Sequence, residues 1–155
     1  MKLTSKPLAA IVVALIFGGI MFSTALGWWN TQSNKQARKL TQGPNAGQSD
    51  PADIRGSYTF GDVETNFGIP AELLALAFNV QTDDPQAFPV KSLEVMYADS
   101  PQEVGTASVR LFTAFYLNLP IDLSTDMYLP EAAAAILKTR PLTDEQLSYL
   151  EAHTV

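Results

Sequence analysis

The chain has 155 residues and carries its charge unevenly. Residues 1–49 contain five Lys/Arg and no Asp/Glu, whereas residues 50–155 contain sixteen Asp/Glu against five Lys/Arg, a net charge of −11. Because proteins bind phosphate backbones chiefly through Lys and Arg, this acidic balance excludes nucleic acid as an expected partner. The absence of cysteine excludes a disulfide, a thiolate metal site or an iron–sulfur cluster of the chain's own.

An uncharged run of 23 residues, 7–29, follows Lys2 and Lys6 near the start of the chain. At about 1.5 Å of rise per residue, a helix of this length covers the roughly 30 Å hydrocarbon core of a bilayer. The run ends at Trp28 and Trp29, and tryptophan favours the membrane–water interface because its ring is apolar with one polar N–H. We therefore expect residues 1–29 to form a transmembrane signal-anchor, with both tryptophans as interfacial anchors.

A cleaved signal peptide is the alternative interpretation of this segment. Residues 25–27, Ala-Leu-Gly, resemble a small-x-small cleavage site, although a signal-peptide apolar region usually has only about 7–15 residues. The greater length favours a retained anchor. Lys2 and Lys6 before the run nearly balance a basic flank of Lys35, Arg38 and Lys39 after it, so the charge counts leave both orientations open. A short basic start before the apolar run favours a cytoplasmic N-terminus, so the rest of this single-pass protein of the cell membrane is expected outside the cytoplasm.

The predicted anchor also carries small residues at a regular spacing. Gly19, Ser23 and Gly27 lie four positions apart, which places them on one helix face where a second transmembrane helix can approach closely. Such spacing is also common in ordinary lipid-facing anchors. The pattern predicts a membrane-helix packing face, with a membrane protein as the partner.

Residues 30–53 are rich in Gln, Asn, Ser, Gly and Pro and contain few apolar side chains. Such a segment buries too little apolar surface to offset the conformational entropy that is lost on ordering. We expect a flexible linker here, which joins the anchor to an acidic domain at residues 54–155.

Helix signals dominate this domain. Thr59 is a candidate N-cap, with Asp62 three positions later. Gly68 is a stop signal, and Pro70 opens the next helix. No run alternates with a period of two for long enough to predict a strand. The pattern predicts an all-α domain of five or six short helices.

Later segments extend this prediction. Residues 91–98 fit a short helix, and residues 100–103, Ser-Pro-Gln-Glu, have the form of a capping box that opens the longest helix. Two further helices are expected after Pro130 and Thr143. The longest helix is expected to end by Pro120 and to place on one face Val104, Ala107, Ser108, Leu111, Phe112 and Phe115.

No pattern in the domain indicates catalysis. Residues 59–78 have the rhythm of a helix-turn-helix, yet the second helix offers Glu72 and hydrocarbon instead of base-reading side chains. The pairs Asp83-Asp84 and Asp122-Asp126 lack the ligand pattern of a calcium loop and are expected to be solvated. His153, the only histidine, is expected to be solvated at a frayed end. We therefore predict no enzyme activity and no catalytic, cofactor-binding or metal-binding residue.

A faint internal similarity links residues 56–70 to residues 105–120. Both segments place a helix before a turn that ends in proline. The spacing diverges after the prolines, so the similarity indicates duplication only weakly.

Residues 53–60 (Asp-Ile-Arg-Gly-Ser-Tyr-Thr-Phe) and 67–70 (Phe-Gly-Ile-Pro), followed by a leucine-rich helix, carry a resemblance to a known module. They resemble the IRGS-T…GIP accessory helical module of bacterial membrane-bound polyferredoxin-like proteins, which are similar to the quinol-side 4Fe-4S subunits of periplasmic nitrate reductase systems. Residues 105–112 and 128–130 are also similar to that module. In those proteins the module follows a transmembrane helix, beyond the cluster-binding part.

This resemblance covers roughly residues 27–155 and rests on a turn and helix caps. Since the chain has no cysteine, the resemblance implies the accessory module alone, without electron transfer. It implies an iron–sulfur electron-transfer protein as the membrane partner. The expected function is a membrane-anchored interaction or assembly module, accessory to a membrane redox complex. The alternative is a membrane-anchored enzyme or small-ligand-binding protein with a pocket in the helical domain.

Overall fold

The computed structural model describes residues 35–155, which form one compact unit. In this part of the chain the secondary structure is helical without a strand, which confirms the all-α prediction. The only strand-like contacts there are isolated bridges, which join Lys39 to Ser49, Thr59 to Pro89 and Leu129 to Thr154. The elements are a 3₁₀ helix at Pro51–Asp53, α1 at Phe60–Phe67, α2 at Ala71–Ala77, α3 at Ser92–Met96, α4 at Thr106–Leu117, α5 at Glu131–Leu137 and α6 at Asp144–Ala152.

The predicted membrane anchor lies outside the described residues. This applies to the proposed packing face of Gly19, Ser23 and Gly27 and to the proposed interfacial pair Trp28 and Trp29. Among residues 35–155, no helix combines the length and the hydropathy that a bilayer crossing requires.

Helix α1 begins and ends where the local sequence predicts. The Thr59 hydroxyl accepts from the Asp62 backbone N–H at 3.1 Å, and the Asp62 carboxylate accepts from the Thr59 N–H at 2.7 Å. This capping box satisfies two backbone donors that would otherwise lack helical partners. Gly68 ends the helix in the left-handed conformation, with φ of 71°, which glycine adopts without a steric penalty.

Left-handed residues end three helices, and each precedes a buried aliphatic side chain. Asn79 and Asn118 have φ of 51° and 54°. They follow α2 and α4 in the same left-handed conformation that Gly68 adopts after α1. After Asn118, the Leu119 N–H donates to the Ala114 carbonyl at 2.8 Å, the long-range bond of a Schellman motif. The buried residues that follow the three caps are Ile69, Val80 and Leu119. The weak sequence similarity between residues 56–70 and 105–120 therefore reflects the same type of helix end.

Helix α4 lies at the centre of the domain. It packs against the 3₁₀ helix and α5, while α2 packs against α1 and α5. The Phe112 ring contacts Phe78 edge-on at 5.8 Å and stacks on Tyr116 at 5.7 Å. The predicted face is confirmed in part: Ser108, Leu111, Phe112 and Phe115 are buried and Ala107 is half-buried, whereas Val104 lies before the helix. Burial also extends beyond this face, to Val109, Thr113 and Ala114.

The start of α4 differs from the prediction. Residues 100–103 form a turn, and the helix begins at Thr106 with Gly105 as its N-cap. The Ser108 hydroxyl accepts from the Gly105 N–H at 3.1 Å and so supplies the cap. A Cβ atom at Gly105 would lie 2.7 Å from Cγ of Glu94, so the Glu94 side chain of α3 would have to shift to admit a larger residue here. The capping-box pattern at Ser100 was a local signal that did not include this tertiary contact.

The prediction of a flexible linker is wrong for residues 35–53. Ala37 is buried, and its N–H donates to the Asn66 side chain of α1 at 2.7 Å. The Asn66 amide in turn donates to the Lys35 carbonyl at 2.7 Å. Low apolar content did not reveal this packing, because hydrogen bonds to polar side chains of the domain hold much of the segment.

Asp53 is the central carboxylate of this N-terminal segment and is only 6% exposed. It accepts the Arg38 backbone N–H at 3.0 Å, and its Oδ1 lies 3.2 Å from both Arg38 Nε and an Arg55 guanidinium nitrogen. Burial alone would raise the pKa of Asp53, but the hydrogen bonds and charges of Arg38 and Arg55 outweigh it and hold the pKa below its usual value. The deprotonated Asp53 side chain therefore links Arg38 to Arg55 through hydrogen bonds and ion pairs.

We expect Leu111→Ala to lower the free energy of unfolding by about 2–5 kcal/mol, because it opens a cavity beside fully buried neighbours. Leu76→Ala makes the same chemical change at a helix position that is 64% exposed, and we expect a loss below about 0.5 kcal/mol. Urea unfolding of residues 35–155, followed by circular dichroism, measures both. Equal losses for the two variants would contradict the central position of α4.

We expect Asp53 to contribute to acid sensitivity. Its folded pKa lies below the unfolded value of about 3.9, so its stabilising contribution is present above about pH 3.9 and is lost as the pH falls through the folded pKa. Asp53→Asn should lower stability at neutral pH and should flatten the further loss below about pH 4. Urea midpoints across this range test the effect. Asp83→Asn, at an exposed loop position, is the control and should retain the acid dependence of the parent protein.

Candidate functional site

An open groove of about 610 Å³ lies beside the carboxyl end of α4 and the start of α6, and we call it the α4–α6 groove. Its volume is within the roughly 300–1,000 Å³ of typical ligand sites. Three separate stretches of the chain meet there, residues 42–45, 115–123 and 143–146. The lining residues are Gln42, Gly43, Pro44, Asn45, Phe115, Asn118, Leu119, Pro120, Ile121, Leu123, Thr143, Glu145 and Gln146.

The α4–α6 groove combines apolar surface with amide groups. Ile121 and Leu123 are half-buried and present hydrocarbon beside the buried Leu119. Gln42 and Asn118 are exposed at its edge and offer side-chain amides. An amide side chain both donates and accepts hydrogen bonds, so this edge can bind a ligand group that is either a hydrogen-bond donor or an acceptor.

The wall from α6 is fixed by its capping box. The Thr143 hydroxyl accepts from the Gln146 N–H at 3.2 Å, and the Gln146 side chain accepts from the Thr143 N–H at 2.9 Å. These bonds occupy two of the N–H donors near the helix start. Glu145 is exposed in the same turn, so the helix presents a carboxylate to the groove.

The opposite wall is a hairpin-like turn at residues 40–48. The Leu40 N–H donates to the Gln48 carbonyl and the Gly47 N–H donates to the Leu40 carbonyl, both at 2.8 Å. Gly43 and Gly47 have φ of 79° and 88°, a backbone conformation that disfavours other residues. The Asn45 amide lies 3.5 Å from the Asn118 carbonyl, so this turn meets the end of α4.

His153 is not solvated, contrary to the prediction. Its ring stacks on Tyr149 with centroids 3.8 Å apart and an interplanar angle of 2°. One ring nitrogen lies 2.9 Å from the Tyr149 carbonyl, and the other lies 3.3 Å from the Asp126 carboxylate. The side chain is only 17% exposed. Asp126, which was predicted to be a solvated turn carboxylate, therefore has an imidazole partner.

Backbone hydrogen bonds continue this contact and keep residues 153–155 on the domain. The Leu129 N–H donates to the His153 carbonyl and the Val155 N–H donates to the Leu129 carbonyl, both at 2.9 Å. The Glu131 N–H donates to the Val155 carbonyl at 3.1 Å, just as α5 begins. Sequence position alone predicted fraying here, whereas hydrogen bonds to residues 129–131 order the segment. We call residues 126–131 with 149–155 the C-terminal clasp.

Tyr149 links the C-terminal clasp to the α4–α6 groove. Its hydroxyl accepts from the Met127 N–H at 2.9 Å, and its ring meets Phe115 edge-on at 6.1 Å. Burial raises the pKa of Tyr149, an effect that the Met127 N–H partly offsets. Since Phe115 lines the groove and Tyr149 lies on α6, the clasp positions two of its walls.

A second exposed feature lies at the ends of α2 and α3. The Tyr97 hydroxyl donates to the Phe78 carbonyl at 3.0 Å and so joins the two helix ends. Leu76, Val95 and Met96 are 64%, 79% and 47% exposed, although they are large apolar side chains within the last turns of these helices. We call these three residues the α2–α3 surface.

The remaining carboxylates of interest have local roles. Asp84 accepts from the Ala87 N–H at 3.2 Å, and Asp122 accepts from the Ser124 N–H at 2.9 Å. Within residues 35–155, no group of three or more His, Asp or Glu side chains is arranged to hold a metal ion. Glu72 is exposed on α2, the second helix of the predicted helix-turn-helix.

Comparisons with known proteins give no match: no family model, curated protein or solved structure is similar to the chain.

We expect His153→Ala to lower the free energy of unfolding by about 1–3 kcal/mol, since it removes a stacked ring and two polar contacts. Hydrogen exchange should also become faster at the Leu129 and Val155 amides. His153→Phe keeps an aromatic ring and should lose less stability. Glu151→Ala, at an exposed position of α6, is the control and should leave both amides protected. Unchanged exchange in His153→Ala would contradict the clasp.

Proposed function

We propose that the chain is a single-pass membrane protein whose acidic helical domain is an interaction or assembly module without enzyme activity. The α2–α3 surface is the observation that carries this proposal. Leu76 and Val95 keep most of their apolar area in water, close to the joined ends of two helices. Val95 and Met96 are neighbours in sequence, and exposed apolar side chains that lie together favour a protein–protein contact.

The uncharged run at residues 7–29 supports the membrane part of the proposal. The compact unit begins at Lys35, so only residues 30–34 separate the domain from Trp29. At about 3.3–3.6 Å per extended residue, six residue steps span at most roughly 20 Å. An anchored domain would thus stay close to the membrane, where its partner would be a membrane protein or a protein at the membrane surface.

The resemblance of residues 53–60 and 67–70 to the accessory module of polyferredoxin-like proteins suggests the setting. We propose an iron–sulfur electron-transfer protein of the same membrane as the partner. The chain would contribute contacts and no electron carrier, because it has no cysteine with which to hold a cluster. The orientation that we propose places the domain outside the cytoplasm.

Two measurements test this proposal. The protein should remain with membranes after salt and carbonate washing, because the apolar run favours a retained anchor. A soluble form that begins at Trp28 would instead establish cleavage after Gly27. The partner that co-purifies in mild detergent should contain iron and acid-labile sulfide.

Substitutions in two regions locate the contact with that partner. Leu76→Ser with Val95→Ser should remove the co-purifying protein and leave membrane retention intact, because both side chains are exposed. Gly19→Leu with Gly27→Leu fills the proposed helix-packing face and should also weaken co-purification while the segment still inserts. Gln81→Ser with Asp99→Ser alters two exposed polar positions and is the control. If both experimental variants retain every partner, the interaction proposal fails.

A second candidate function is the binding of a small ligand by the domain. The α4–α6 groove favours it, because apolar residues and several amides converge in a volume of ligand size. Saturable binding of a metabolite at this groove by a protein that lacks a co-purifying partner would favour this alternative.

A further inference from the structure

We propose that the α4–α6 groove binds an extended peptide segment of a partner protein, in which apolar residues are flanked by lysine or arginine. The proposal goes beyond the assembly role, since it concerns a different surface from the α2–α3 surface and does not require the membrane anchor. It rests on three properties of the groove: its amide edge, its apolar floor and the sign of its charge.

The amide edge suits a peptide backbone. Gln42 and Asn118 lie on two sides of the groove and are exposed, so their amides are free to face a ligand. An extended backbone offers N–H and C=O groups in alternation, and an amide side chain pairs with both. A purely apolar ligand would leave these amides without partners when it displaced their water, which costs free energy.

The floor suits alternate side chains of such a peptide. Ile121 and Leu123 face the groove at every second position of one loop and are half-buried. Successive side chains of an extended segment point to opposite sides, so every second one would meet this apolar floor. The groove is open, which suits a chain segment that continues at both ends.

The charge of the groove selects the flanks of the peptide. Glu145 lines the groove, and Asp122 and Asp144 adjoin lining residues in sequence. Of the residues that the structure describes, no lysine or arginine contributes to the lining. Residues 35–155 as a whole carry sixteen Asp/Glu against eight Lys/Arg, a net charge of −8. A basic flank would be attracted to this site, and an acidic one would be repelled.

The start of α6 does not reverse this preference. A helix N-terminus can attract anions through its free N–H groups and its dipole. Here the Thr143 hydroxyl already accepts the Gln146 N–H, and Glu145 places a negative charge in the same turn. The capped Gln146 N–H and the Glu145 carboxylate therefore weaken the attraction of this helix start for an anion.

The test uses full-length protein in mild detergent and two fluorescent peptide pools. Both pools vary the central positions among apolar and small polar residues, one between pairs of lysine and the other between pairs of glutamate. We expect the lysine-flanked pool to bind at least about tenfold more tightly at low salt and to lose this advantage at high salt. Photo-crosslinking by the tightest peptides should label residues 118–123 and 143–146.

Matched variants assign the binding to the groove. Glu145→Lys should weaken binding of the selected peptides by about three- to tenfold. Glu151→Lys is its control, because it makes the same charge change on the same helix outside the groove lining. It should change binding by less than about twofold. Gln42→Ala should weaken binding by about two- to fivefold, because it removes one amide partner. Gln81→Ala, at an exposed loop position away from the groove, is its control. An unchanged unfolding midpoint in each variant confirms that the fold is intact.

Several results would overturn the peptide proposal. These are the absence of binding by either pool, equal binding by both pools, equal binding to the parent and to Glu145→Lys, or crosslinks on the α2–α3 surface. Self-association that Glu145→Lys abolishes would identify a second copy of the chain as the occupant and would also contradict the proposal. A protein that binds the peptides but washes off membranes contradicts the membrane-anchored function alone. One that holds its membrane partner but ignores both pools contradicts only the peptide site.

Discussion

The enclosure of α4 is the constraint on which the rest of the domain depends. Leu111 and Phe115 are buried on one side of this helix and Val109 and Thr113 on the opposite side, so it cannot be stable without neighbours all around it. The other elements supply those neighbours: Phe78 packs from the end of α2, and Tyr149 packs from α6. Polar groups lie on this helix as well. Ser108 caps it, whereas the buried Thr113 hydroxyl has no hydrogen-bond partner within the described structure and lowers the net stability that burial contributes.

Both ends of the described segment are held by polar contacts that attach them to this helical core. At the start, Asp53 joins Arg38 to Arg55, and the Arg110 side chain of α4 donates to the Ile54 carbonyl at 2.8 Å. At the end, His153 stacks on Tyr149, whose ring contacts α4. The Arg110–Ile54 and Phe115–Tyr149 contacts join parts of the chain that are far apart in sequence, so their stabilising effect must exceed the entropy lost on closing a long loop. Residues 42–45, near the start of the described segment, line the α4–α6 groove, and Tyr149 of the C-terminal clasp contacts Phe115 in its lining.

Local signals in the sequence predicted most helix boundaries, and tertiary contacts decided the others. Thr59, Gly68 and Thr143 act through residues within four positions, so their capping roles are legible in the sequence. The pattern at Ser100 competed with the cap that forms, in which Ser108 accepts from the Gly105 N–H, and the approach of Glu94 to Gly105 is contained in no local pattern. The groove was not predicted for a similar reason, because its lining comes from three stretches that only the fold brings together. The local signals near it were the turn before Pro120 and the capping box at Thr143, which indicated helix ends and not a site.

The charges near the proposed membrane surface bear on what the domain can contact. Lys35 pairs with Asp62 at 2.8 Å, Arg38 with Asp53 at 3.2 Å, and Lys39 donates to Ser49 at 2.9 Å. These cations were the basic flank of the anchor in the sequence, but in the fold each has a partner within the domain. Anionic headgroups would therefore meet a domain of net charge −8 whose nearest cations are partly neutralised, and repulsion would act within a Debye length of about 8 Å. An anchored domain would thus be close to lipid without being attracted to it. A basic protein segment would be attracted electrostatically to this acidic surface, whereas anionic lipid would be repelled. On charge, a protein would therefore be a better partner than lipid for this surface.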